Sequence, residues 1–165
     1  MKSFIIILML LAIPATCIGQ SDKPDVKKEI GEAVFRYEFE HFIKDESPRI
    51  QKFLPSHYAI HSERDFLIDE AYLAKFSNIY PKVIKYIPPT SCVSPCKPSG
   101  EGKYTCPRKI IITGIKFISQ DKAEVYSSIS FTVEGRVWEG IYTVEKQFDH
   151  WSVKKTRSIR ASADC

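Results

Sequence analysis

The chain lacks the short signatures that name an enzyme class. It has no phosphate-cradling loop, no glycine-rich dinucleotide fingerprint, no metalloprotease helix motif and no Ser-His-Asp signature. These absences remove the best-marked chemistries, although a pocket enzyme can carry none of them. Internal repeats, low-complexity runs and linkers are missing too, which leaves one domain. No apolar run reaches the roughly 20 residues that a membrane-crossing helix needs. An excess of either charge is also lacking: the formal net value is +4, ordinary for a soluble protein and poor support for a nucleic-acid partner. No cofactor is implied.

What is present begins with a leader. Lys2 precedes an unbroken apolar run over residues 4–13, Pro14 breaks it, and small residues follow. Cys17 and Gly19 occupy the minus-three and minus-one positions of a cut before Gln20. This layout predicts a secretory signal peptide over residues 1–19 and a single α+β domain over residues 20–165, secreted or periplasmic. A competing reading makes Cys17 the lipid-bearing cysteine of a bacterial lipoprotein. Pro14 and Thr16 stand where that signal wants an apolar residue and a smaller one.

Beyond the leader, the cysteines are Cys92, Cys96, Cys106 and Cys165. An even number in an exported chain points to two disulfides, with the pairing open. Cys92, Cys96 and Cys106 approach a zinc-ligand spacing but lack the second close pair of a structural site. Oxidising surroundings favour bridges, so no metal is expected.

The composition, 44% hydrophobic and 12% aromatic, excludes a disordered chain. Val26, Ile30, Val34 and Tyr37 recur at helical spacing after Pro24, with Lys27, Lys28, Glu32, Arg36 and Glu40 on much of the remaining side. An amphipathic helix of about five turns follows from that pattern. Residues 45–48 end it. A short helical turn over 49–54, a short strand over 57–61, and a second helix capped near Asp65 and reaching Ser77 are expected next. Residues 82–87 read as extended, and 91–107 as a long cysteine-bearing loop. Four strands then alternate with short turns: 108–118 with Gly114 as a bulge, 122–133, 136–147 and 151–158. Turns this short predict antiparallel neighbours. The expected class is α+β, a long N-terminal helix packed on a curved antiparallel four-stranded meander.

Residues 121–153 carry Asp-Lys-Ala-Glu-Val, the turn Glu134-Gly135, Tyr-Thr-Val at 142–144 and Trp-Ser-Val at 151–153. That pattern resembles the C-terminal half of cystatin-like folds, nearest to the nuclear-transport-factor-two-like group with its secreted bacterial members of no assigned activity. The resemblance implies a cone between helix and sheet, inside which enzymes of the group hold an Asp/His or Asp/Tyr pair. The local analogue is His57, His61 and Asp65, with the histidines on one strand face and Asp65 orienting an imidazole. Solvated polar residues at a strand edge are the plainer reading. His41 reads as a core-edge residue and His150 as part of a turn.

A ligand face is the other candidate. Trp138, Tyr142 and Val144 share strand parity, and unbroken alternation puts Lys155 and Arg157 with Trp151 and Val153. That arrangement would offer positive charge beside apolar surface to an anionic ligand or lipid headgroup. The expected function is an exported, non-catalytic binding or interaction protein. The alternative is a small-molecule isomerase, dehydratase or hydrolase working in the cone. An inhibitor of another exported protein is a third reading, and no inhibitor motif supports it.

Overall fold

The computed structural model describes residues 24–44, 53–87, 97–100, 103–131 and 136–163. Their elements, in chain order, are α1 (Pro24–Lys44), β1 (Phe53–Ser62), α2 (Glu70–Ala74), β2 (Val83–Lys85), β3 (Lys97–Gly100), β4 (Lys103–Ser119), β5 (Lys122–Phe131), β6 (Arg136–Gln147) and β7 (His150–Ala163). The expected leader over residues 1–19 lies outside the described residues, as do Cys92, Cys96 and Cys165.

Period-two alternation makes the central strands. In β5, Ala123, Val125, Ser127 and Ile129 are buried, while Glu124, Tyr126 and Ser128 are only half-buried on the other side. β4, β5, β6 and β7 pair antiparallel in succession. The two-residue loop Phe148-Asp149 closes the last hairpin, with Phe148 at φ 56° where such turns favour glycine.

The expected four-stranded antiparallel meander under a long helix is not what forms. Among the described residues the sheet has seven strands, in the order β2-β1-β4-β5-β6-β7 with β3 on β4, and strand rather than helix dominates. β1 lies parallel to β4, and β2 lies parallel to β1, so the sheet is mixed. Parallel pairing needs a long crossover, and the residues between β1 and β4 provide it. Tyr58 and Ile60 are buried in the core cluster, and Ala59 on the other face is covered between its strand neighbours Ile84 and Lys109.

Two further expectations change. The second helix is confined to Glu70–Ala74 and is capped by Asp69, whose Oδ1 accepts from the Tyr72 N–H at 2.8 Å. Asp65 takes no part in that cap, because Lys27 holds it at 3.1 Å. The expected 91–107 loop is shortened by β3 and by the early start of β4.

The core lies on one face of the sheet, beneath α1. Ile30, Val34, Phe35 and Phe39 of α1 meet Tyr58, Ile60, Ile110, Ile112, Val125 and Val144. Burying each such side chain is worth about 1.5–3 kcal/mol. Phe39 and Phe76 meet edge to face at 5.6 Å and 90°, and Phe35 meets Tyr72 at 6.5 Å and 73°.

Gly31 sets how closely α1 approaches this aromatic layer. A Cβ there would stand 2.3 Å from Phe66 Cζ and 3.2 Å from Tyr72 Oη. Tyr72 Oη also donates to the Lys28 carbonyl at 3.0 Å, one turn away. A helix-interior Gly→Ala change ordinarily stabilises by about 1 kcal/mol. Here the sign should reverse: Gly31→Ala is expected to cost about 1–3 kcal/mol by overpacking. Denaturant midpoints of the two proteins check this, and a midpoint at or above the parent's would contradict it.

Candidate functional site

A charged cluster sits between α1 and the sheet. Glu38 continues the buried stripe of Val34 one turn on, so its carboxylate faces the strands. Arg108 stands opposite Tyr58 in the β1–β4 register, and Tyr142 lies on the same side of β6. Arg108 Nη2 donates to Glu38 Oε2 at 2.6 Å, and Tyr142 Oη donates to Glu38 Oε1 at 2.7 Å. Glu38 is 7% exposed and Arg108 6%. Tyr37 meets Tyr142 edge-on at 6.0 Å and stacks on His41 at 3.7 Å, at the outer end of this cluster.

The electrostatics follow from burial. Tyr142 is pushed far above its ordinary range, first by desolvation and then by the Glu38 charge. Tyr58 is raised as well, by burial; Glu38 adds to the effect and Arg108 opposes it. Burial lowers Arg108, and Glu38 opposes that shift. Both phenols therefore stay protonated, and Tyr142 donates to Glu38. The Tyr58 hydroxyl completes no hydrogen bond. Ser127 Oγ faces Tyr142 closely enough to ease its shift, yet makes no bond of normal geometry. Chemically, the cluster can donate to an oxyanion. It offers no idle base, because both Glu38 oxygens already accept.

Glu38 is not among the site residues expected from the sequence. The signal was a lone carboxylate on the apolar stripe of α1, together with an arginine sharing parity with Ile110 and Ile112. Two opposite charges at core-facing positions imply each other, since neither is buried alone.

The residues singled out by sequence are not brought into one place. His57 and His61 do lie on one face of β1, the face turned away from α1, while Asp65 is held on the α1 side by Lys27. His57 Nδ1 lies 3.1 Å from Ser56 Oγ, and burial, then Lys82, lowers its pKa. His61 has its ring 6.3 Å from Tyr86 and a buried Nδ1 without a partner. Tyr142 and Val144 are buried and Trp138 is half-buried. Cys106 lies in β4 opposite Pro55, with its side chain outside the described part.

The parity expected for Lys155 and Arg157 is reversed by a bulge. Val153 faces Val144, but Lys155 faces Thr143, so Lys154 is inserted without a partner on β6. Arg157 then faces Ile141. Both cations leave the Trp151 and Val153 face for the opposite one.

Among the described residues, no group of three or more His, Cys, Asp or Glu is placed to hold a metal ion. No described helix is long and apolar enough to cross a membrane. No family model, curated protein or solved structure matches the chain.

A second cluster ties the helices together. Glu32 of α1 accepts from Arg36 Nε at 2.9 Å and from Lys75 Nζ at 2.8 Å, while Arg36 Nη2 donates to the Lys75 carbonyl at 2.7 Å. Burial alone would raise the Glu32 carboxyl. The hydrogen bonds and charges of Lys75 and Arg36 outweigh it and hold the group below its ordinary 4.5. A depressed carboxyl stabilises the fold above its unfolded pKa, and the contribution fades as pH falls through the folded value. Glu32→Gln is therefore expected to cost about 0.5 kcal/mol near neutrality and nothing in strong acid. Melting curves of parent and variant from pH 7 downward check this; a gap that persists in acid would contradict it.

The buried pair should behave differently. Arg108→Met strands the Glu38 charge and is expected to cost about 3–5 kcal/mol. Glu38→Leu combined with Arg108→Met should recover much of that loss, as a double-mutant cycle in urea would register. Additive losses would show that the two side chains are not coupled.

Proposed function

We propose that this is an exported, non-catalytic binding or interaction protein, with its recognition surface outside the helix–sheet interior. One observation carries the reading. Under α1 the sheet face is filled, and the charged groups there are spent on one another: Glu38 on Arg108 and Tyr142. A general base must have an oxygen to offer, and a substrate must have room beside it. The sequence layout of residues 1–19 supports export.

The specific observation favouring a small-molecule enzyme is the Tyr58 hydroxyl, buried beside Arg108 and without a hydrogen-bond partner. Such a group can accept or donate to something that enters. A crystal structure of protein purified from the medium or periplasm of producing cells separates the two. The expected result is a closed interior with Glu38 bonded to Arg108 and Tyr142. Density for an organic molecule against Tyr58 and Arg108 would overturn the non-catalytic reading.

A further inference from the structure

We propose that the open edge of β7 takes up an extended segment of a partner protein carrying carboxylates at alternate positions. The proposal rests on the non-catalytic reading above and names the partner class that reading leaves open. β7 spans 14 residues and ends the strand order, and among the described residues no strand pairs with its far side. The backbone groups of β7 not bonded to β6 therefore face outward, the template that strand addition uses.

Side-chain chemistry decides what can be added. Lys154, Lys155, Thr156 and Arg157 are all exposed. Lys155 and Arg157, two residues apart, share one face, and the bulge at Lys154 makes it the face of Thr143 and Ile141 of β6. Among the described residues, neither cation has an ion-pair partner. Glu145 on the neighbouring strand is paired with Lys122 at 2.8 Å. A strand laid beside β7 sets its own alternate side chains directly against Lys155 and Arg157, so opposite charge there is favourable and like charge unfavourable. Its intervening side chains meet Thr156 on the other face, where β-branched residues fit a pleated surface. A second copy of β7 is a poor occupant, since pairing the two edges brings basic residues against basic ones.

The test uses the mature full-length protein and three synthetic peptides of about ten residues, the upper length of ordinary strands. One alternates Glu with Thr and Val. The second has the same composition with its glutamates blocked at one end. The third alternates Lys with Thr and Val. Calorimetry should show the alternating acidic peptide binding at least about tenfold tighter than its blocked isomer and weakening as salt is raised. Amide exchange should show protection along β7. The exposed double variant Lys155→Glu with Arg157→Glu should lose that affinity and acquire the Lys peptide instead. Equal binding of the blocked isomer, absence of β7 protection, or a charge-reversed variant that still prefers the acidic peptide would each overturn the proposal. So would exclusive binding to phosphatidylserine vesicles, which points to a lipid surface. Failure of every peptide with a closed interior removes the acidic partner alone. A small molecule found in the interior removes the reading beneath it.

Discussion

The Glu38–Arg108 ion pair is the constraint on which the rest of the arrangement depends. An apolar stripe on α1 could slide or rotate over an apolar sheet at modest cost. A buried carboxylate cannot, because it must meet its guanidinium at hydrogen-bond distance. Tyr142 adds a second bond to the same carboxylate from another strand. Three elements are thereby held in one register: α1, β4 and β6. Among the described residues, the same bonds occupy the two buried charged side chains, Glu38 and Arg108.

The periphery of the sheet is shaped by where β1 goes. By inserting parallel beside β4, it removes one edge of the β4–β7 succession and covers it with a strand that is itself flanked by β2. Among the described residues, the remaining long edge is β7. Its exposed cations discourage pairing with its own kind, a common protection for edge strands. The same charges leave pairing with an acidic strand permitted, so under the proposal above one feature would both discourage self-association and select a partner.

The helices are linked by a different logic. The Glu32, Arg36 and Lys75 cluster is half in water, where ion pairs are worth little individually. Its role is to orient the chain after α2 against α1, while Phe35, Tyr72 and Phe76 supply the burial. Gly31 permits the close approach on which that packing relies.

Local pattern was legible where one face is wet and the other dry. The alternation of Ala123, Val125 and Ile129 marks β5, and the spacing of Ile30 and Val34 marks α1, because periods of two and about 3.6 residues follow from backbone geometry alone. The sequence by itself thus determined which stretches alternate and the lack of the best-marked catalytic motifs. Only tertiary structure decided that β1 lies parallel to β4, that Asp69 rather than Asp65 caps α2, and that Lys154 is a bulge. Each of these is a choice of partner across space, such as Lys27 claiming Asp65. The pairing of Glu38 with Arg108 is of the same kind, joining residues 70 positions apart that no local period connects.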